Sequence, residues 1–538
     1  MKTLVAGCEG GGGPQPGRRL LLFGPFNMLL VNAILTTGLT TAGVFGMWRP
    51  SPEDVQRVFD EQNPWQRRGT VPDSLAREVE RPLAQLLWRR LRDDDPRRFQ
   101  LVLGPRRVGK TTALYQTVRH LIKDDIDPGR IWWMRLDHPL LLQESLDDLV
   151  RAAIEACGAS AERPAFLMLD ELVYTDRWDL WLKTFFDDNW PVRIAATSSA
   201  TAALRERRLE SGIGRWSEQH LTPYLFPEFL DLIGRRPPVD ISDDLGASVA
   251  ALAPGRRSGD DVAAWRRMFM LVGGFPELLS RLPENASDDE SDRLLQSQQI
   301  LRSDAVERAI YKDIPQSFGV DNPLMLERLL YVLAAQITGV LSPSGICKDL
   351  GLSQPTFDRY LSYLEQAFLV FTLPNYSGRE TSVQKRGRKL YFVDGAIRNA
   401  ALQRGLAPLD NPEEQGTLVE NLVAATLRSL ALHTGSRLYH WRDGRHEVDL
   451  VLDHPDRPLA LEIASSPQHS RTGLQAFAER HPRFRRRTYL VAPQAGVIHP
   501  EATPSGIGTL PLDLLLLLAG AQAEAALARS LGAGTDSA

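Results

Sequence analysis

Gly104-Pro-Arg-Arg-Val-Gly-Lys-Thr111 is a complete G-x-x-x-x-G-K-T loop, and nothing else in the chain restricts its folding so tightly. Such a loop works only between a strand and a helix. Phe99 to Leu103 is a short apolar strand, and Thr112 to Lys123 reads as the helix, whose N-terminal dipole favours an anion. Gly104 and Gly109 let the backbone curl so that successive N–H groups face phosphate. Lys110 reaches the β/γ-phosphates, and the Thr111 hydroxyl is placed to ligate Mg²⁺. The expected cofactors are ATP and Mg²⁺. The expected nucleotide-binding residues are Gly104, Pro105, Arg106, Arg107, Val108, Gly109, Lys110, Thr111 and Thr112.

Ala165-Phe-Leu-Met-Leu-Asp170-Glu171 is a buried-strand run ending in two carboxylates. Asp170 joins Thr111 as an expected metal residue, and Glu171 is one residue further on, where a carboxylate orients and deprotonates water. A third strand, Val192 to Ser199, ends in small hydroxyl residues. Thr197 and Ser198 are the expected contacts to the γ-phosphate or the attacking water.

The 538 residues exceed what one hydrophobic core organises and predict three or four domains. A net charge of −4 creates no global field for nucleic acid or an acidic membrane. The basic residues are nearly all arginine, so the lysine retained at Lys110 reflects a need for an ammonium there. Cys8, Cys157 and Cys347 are odd in number and far apart, which argues against a disulfide framework or a cysteine zinc site and suits a reducing cytosol. Leu20 to Trp48 carries no charge, yet its Pro, Asn, Thr and Gly content makes a poor spanning helix. Three readings stand for it: an extension outside the folded protein, with Met47 as the start, a membrane anchor, or an export signal.

The expected organisation is an N-terminal extension over 1–63, a parallel-sheet ATPase core over 64–232, and a linker with helical lid over 233–320. A winged helix-turn-helix follows over 321–378, then an α/β domain over 379–495 and a tail over 496–538. Strand–helix alternation carries the core assignment. Leu324–Ile337, Ser342–Leu350 and Thr356–Ala367 read as three helices, with Ser353 as an N-cap and Phe368–Thr372 as a strand. The third helix, with Asp358, Arg359 and Glu365, is a poor face for phosphate. Arg379, Lys385, Arg386, Arg388 and Lys389 would suit a wing on a nucleic-acid backbone.

Further on, Gly416 to Asn421 starts a helix with Glu420 near its N-terminal end, and two short strands bring Asp449 and Glu462 side by side. Glu420, Asp449 and Glu462 would form a carboxylate cluster of the kind that holds Mg²⁺ for phosphodiester hydrolysis. The spacing matches Asp…Glu-x-Lys except that Ala464 stands at the lysine position. The expectation is therefore an endonuclease-like fold with impaired or absent cleavage, in which Gln475 has at most a polar role. The C-terminal histidines lack i, i+4 or H-E-x-x-H spacing and read as scattered. Leu510 to Leu518 is too short to span a bilayer and reads as a closing helix.

Together with Gly104 to Thr112, the segments Leu169-Asp-Glu171, Ala196-Thr-Ser-Ser-Ala200, Gly214-Arg215, Leu221 to Phe229, Gly273-Gly-Phe-Pro-Glu277 and Glu447-Val-Asp449 resemble a prokaryotic group of AAA-type ATPases. That group bears a C-terminal restriction-endonuclease-like domain of unknown function, and the resemblance runs from about Pro64 to Pro493. It implies an α/β chain: a P-loop NTPase domain with helical lid, a winged helix-turn-helix and a PD-(D/E)XK-like domain. It also implies that Thr197 and Ser198 sense the γ-phosphate and that Arg215 is an arginine finger or sensor. The expected function is a cytosolic ATP-hydrolysing switch or motor that repositions C-terminal partner-binding domains. Two alternatives remain, an ATP-regulated nucleic-acid-processing enzyme and a membrane-tethered ATP-binding scaffold. The expected partner is a protein, with nucleic acid and self-association left open and a membrane disfavoured.

Overall fold

Four apolar runs of five to seven residues pair as parallel strands buried on both faces, and a fifth, more polar strand joins them at one edge. In a computed structural model, which describes residues 50–93, 97–199, 214–279, 291–378 and 387–529, they are β1 (Phe99–Leu103), β2 (Ile131–Arg135), β3 (Ala165–Asp170), β4 (Val192–Ser198) and β5 (Trp216–His220). The chain divides into two compact units, Met1–Ser51 and Pro52–Ala538, and the elements above belong to the second. The apolar 20–48 segment lies outside the described residues, among which no helix is long and apolar enough to cross a membrane.

The sheet order is β2-β3-β4-β1-β5, every pair parallel. Alternation along the strands divides their side chains between two cores. Phe99, Leu101 and Leu103 enter one with Leu167, Leu169 and Ile194, while Val102, Phe166, Met168 and Ala195 enter the other. β2 is an edge strand, and residues before the expected domain start cover it. The Asn63 side chain accepts from Trp133 N (2.5 Å) and donates to Trp133 O (3.1 Å), as a neighbouring strand would, and Trp65 Nε1 donates to Ile131 O. The ATPase unit therefore includes the helix Pro52–Gln62, which was expected in the N-terminal extension.

Beyond β5 the chain is helical, with Asp260–Val272, Ser291–Leu301 and two π-helical stretches, Arg302–Glu307 and Ala309–Asp313. Helices Pro323–Ala335, Pro343–Leu350 and Gln354–Gln366 follow, and Ser353 Oγ caps the last by accepting from Thr356 N. β6 (Val370–Leu373) then pairs antiparallel with β7 (Lys389–Phe392). The 23-residue helix Pro412–Thr434 starts at an Asn411 cap, earlier than expected, so Glu420 lies in its interior.

A second sheet has the order β12-β11-β10-β9-β8, from β8 (Arg437–Asp443), β9 (His446–Asp453), β10 (Leu459–Ile463), β11 (Thr488–Ala492) and β12 (Ile507–Pro511). β8, β9 and β10 pair antiparallel and β10, β11 and β12 parallel. The segment expected as a tail supplies β12 and the helix Leu512–Arg529. That helix is apolar all round, so it needs cover on every side. It packs on Pro412–Thr434 and Phe226–Leu232, with Asp513 paired to Arg266 of the helix Asp260–Val272.

One turn ties three parts of the molecule together. Gly274 N donates to Asp394 Oδ2 (2.7 Å), and Gly274 O accepts from Tyr224 N (2.7 Å). A Cβ on Gly274 would lie 2.2 Å from the Tyr224 carbonyl oxygen, an atom that cannot swing aside. Gly274→Ala should therefore cost about 3 kcal/mol, the upper range for overpacking, measured by denaturant unfolding. A loss below about 1 kcal/mol would show that the junction yields.

Candidate functional site

The phosphate loop leaves β1 at the C-terminal edge of the sheet and is bent by positive φ at Arg107 (62°) and Gly109 (92°). Gly104 is packed so closely that a Cβ there would lie 2.1 Å from the Leu221 carbonyl oxygen. Lys110 begins the helix Lys110–Lys123, is buried, and donates to the carbonyls of Gly104 and Pro105 at 2.8 Å each, so its ammonium lies inside the loop. Burial lowers its pKa, with Glu171 and Asp170 acting the other way. Pro105 and Val108 are buried beneath the loop, while Thr111 and Thr112 lie in the helix's first turn.

Asp170, at the end of β3, is 4% exposed. Its carboxylate accepts from Thr111 Oγ1 (3.0 Å) and Thr197 Oγ1 (2.5 Å). Burial and then the charge of Glu171 push its pKa up to about 6, against the pull of the two hydroxyls and Lys110. A hydroxyl and a carboxylate this close form the hard-oxygen donor set that suits Mg²⁺, and the divalent charge would offset a carboxylate buried against its preference. The residues therefore fit MgATP, with Lys110 and the loop N–H groups for phosphate and Thr111 and Asp170 for the metal.

Glu171 follows at φ 58°, in the left-handed region where a non-glycine residue is strained. Its N–H donates to Thr197 Oγ1 (3.0 Å), and its Oε2 accepts from Ser199 Oγ (3.2 Å). Thr197 and Ser199 thus touch the two carboxylates, with buried Ser198 between them. Ser199 lay in the run read from the sequence but was not among the expected site residues. The strand's two-residue period is the signal that would have put it beside Thr197.

Two loop arginines have partners that sequence spacing could not foretell. Arg106 forks onto Asp313, lies 3.5 Å from Glu171 Oε1 and donates to Tyr174 OH (3.3 Å). Burial acts to lower its pKa, but Asp313 and then Glu171 more than offset this and hold it raised. Arg107 pairs with Glu277 and Asp304.

Arg215 is not brought to this site. It precedes β5 beside Phe99, at the opposite edge of the sheet, about 13 Å of strand from the loop. Its guanidinium pairs with Asp187 at 2.7 and 2.9 Å.

Glu420 and Asp449 meet, together with Glu447, around a residue that the sequence placed elsewhere, while Glu462 lies close enough to Asp449 for their charges to interact. Lys389, read as a basic wing residue, is 2% exposed, and its Nζ lies 2.7 Å from Asp449 Oδ1, 2.8 Å from Glu420 Oε1 and 3.0 Å from Glu447 Oε1. This buried cation comes from β7. Burial alone would lower the Lys389 pKa, but Asp449, Tyr391 and the two glutamates hold it well above its ordinary value. Asp449 Oδ2 accepts from Ile463 N (2.9 Å), and Tyr391 OH donates to Glu420 (2.8 Å). Glu462 Oε2 is buried with no hydrogen-bond partner among the described residues. Burial first and Asp449 second push the Glu462 pKa up. Gln475 is exposed on the helix Thr472–Arg480. Among the described residues no group of three or more His, Cys, Asp or Glu is arranged to hold a metal.

Comparison with known proteins gives three family matches. Residues 96–230 match an AAA domain, residues 264–407 a domain of unknown function (DUF8612), and residues 415–506 another (DUF4143). Two uncharacterized proteins of Methanocaldococcus jannaschii are similar. One is 23% identical over 68% of this chain and 74% of its own length, the other 25% over 71% and 79%. An uncharacterized protein of Haemophilus influenzae is 23% identical over 68% of this chain and 82% of its own. A solved structure of the Aeropyrum pernix ORC2 protein, in ADPNP–ADP complexes, aligns at a TM-score of 0.34 and 12% identity, covering 63% of this chain and 98% of that one. The chain thus carries an AAA-type ATPase domain, followed by two domains of unknown function.

Proposed function

We propose that this protein is a cytosolic ATP-hydrolysing switch whose helical and C-terminal parts respond to the nucleotide. The observation that carries the reading is the contact set at Asp170, where Thr111 of the phosphate loop and Thr197 of the neighbouring strand meet one buried carboxylate, with Glu171 next in the chain. Bound MgATP supplies the scissile phosphoanhydride and a divalent charge. Lys110 and the loop N–H groups would hold phosphate, and Thr111 and Asp170 would hold the metal. Glu171 takes the proton from the attacking water, and Thr197 and Ser199 keep that strained residue aimed. The Gly274 turn, which joins the ATPase core to the Asp394 region, is a route by which the site reaches the rest of the chain. The three helices and β6–β7 hairpin at 323–392 read as a winged helix used for protein contact. Lys389 turns inward there, and the third helix carries the carboxylates Asp358 and Glu365, a poor match for phosphate; Arg379, Lys385 and Arg386 of the expected wing lie outside the described residues.

For the C-terminal domain we infer a restriction-endonuclease-like fold that does not cleave. The Lys389 ammonium takes three carboxylates at 2.7–3.0 Å and so fills the position a divalent cation would need.

Lys110→Ala should abolish or greatly weaken ATP binding in titration calorimetry. Glu171→Gln should bind MgATP but turn over roughly 10²-fold more slowly, the scale of general-base catalysis. Equal turnover in wild type and Glu171→Gln would remove Glu171 from its role.

The wild type should show no cleavage of DNA or RNA with Mg²⁺ or Mn²⁺, with or without ATP. Lys389→Met leaves a buried carboxylate group without its cation and should lose about 3–5 kcal/mol of stability by chemical denaturation. Wild-type cleavage that disappears in Asp449→Ala would replace this reading with a nuclease.

A further inference from the structure

Arg106 and Arg107 are adjacent in the phosphate loop, and each is held by a carboxylate from one continuous helical segment of the lid. Arg107 pairs with Asp304 in the stretch Arg302–Glu307, and Arg106 with Asp313 at the end of Ala309–Asp313. Both stretches are π-helical, a rare geometry that concentrates at functional positions because it re-aims side chains at some cost in hydrogen bonding. The Arg106 pair is the buried one, with side-chain exposures of 11% and 4%. Two guanidinium nitrogens, Nε and Nη2, meet the two Asp313 oxygens, the planar fork with which arginine also takes a phosphate.

The same guanidinium reaches the hydrolytic side of the site. Its Nη1 is 3.5 Å from Glu171 Oε1, and its Nη2 bonds Tyr174 OH, whose ring carries Lys312 Nζ at 5.2 Å from its centroid. Lys312 and Asp313 therefore grip the turn after β3 and the phosphate loop together. Asp313 and an ATP phosphate are both anions suited to one fork, and Arg106 cannot satisfy both with the same two nitrogens.

We propose that Arg106 is a binding residue that reads the γ-phosphate, with Asp313 as its counter-ligand on the lid. The γ-phosphate takes the guanidinium from Asp313, which loosens the lid segment 302–318 and changes the hold on Glu171. The exchange moves ion pairs only, and no bond is made or broken. This inference rests on the ATPase reading above.

The test uses the full chain, ADPNP and ADP as probes, titration calorimetry for affinity and hydrogen exchange for residues 302–318. In the wild type, exchange across 302–318 should rise several-fold with ADPNP and stay near its nucleotide-free level with ADP. Asp313→Asn keeps the shape but removes the competing charge. It should bind ADPNP about tenfold more tightly, change ADP affinity less than about threefold, and exchange fast in 302–318 before nucleotide is added. Arg106→Lys keeps the charge without the fork and should lose the preference for ADPNP over ADP. If Asp313→Asn does not fold, the wild-type exchange experiment decides alone. Wild-type binding of both nucleotides with unchanged protection of 302–318 overturns the latch and leaves the ATPase reading standing. A wild type that binds neither nucleotide overturns both.

Discussion

A carboxylate buried at the end of a parallel strand must find donors, and the rest of the site follows from how Asp170 finds them. Water does not reach it freely, so Thr111 and Thr197 supply its hydrogen bonds from two other segments. That requirement fixes the loop against β3 and β4, and it places Glu171 in a left-handed turn held by Thr197 and Ser199. The bonds that satisfy the carboxylate also assemble the hydrolytic arrangement. Strain at Glu171 is tolerated because the neighbouring strand over-determines its position.

The site is joined to the remainder of the chain by buried polar contacts rather than by apolar packing alone. Gly274 links the end of the ATPase core to Asp394, Arg106 links the loop to the lid, and Arg266 links the lid to the closing C-terminal helix through Asp513. Apolar surfaces of similar area slide and repack at modest cost. A buried ion pair or a backbone hydrogen bond has one geometry and is costly to leave half-made. Such contacts suit a molecule in which a local change of charge at the phosphates has to be felt at a distance.

Lys389 shows why the C-terminal cluster was only half legible. The carboxylates announce themselves by their place on adjacent strands, since Asp449 and Glu462 adjoin the β9–β10 pair Leu450 and Leu461. The lysine stands 60 residues before Asp449, beside an arginine-rich stretch that makes it look like a wing residue. Only the packing of β7 against the helix Pro412–Thr434 turns it inward. The position read as Ala464 is lined by apolar neighbours instead, and its small side chain is part of the core of that domain.

By itself the sequence determined the elements whose signal is local: the phosphate loop with its strand and helix, the apolar strand ending in Asp170 and Glu171, the hydroxyl end of β4, and the capped helix after Ser353. Each rests on periodicity, a turn residue or a cap within a dozen positions, and local sterics decide those. Tertiary structure alone decided the partners of Arg106 and Arg107, the place of Arg215 at the far edge of the sheet, the inward turn of Lys389, and the use of residues 52–63 and of the strand 507–511 as parts of the fold. Ion pairs between residues 170 to 207 positions apart leave no mark on either local segment, because a charged side chain reads the same whether it faces water or a buried partner. Burial, which the neighbouring elements impose, is what tells the two apart.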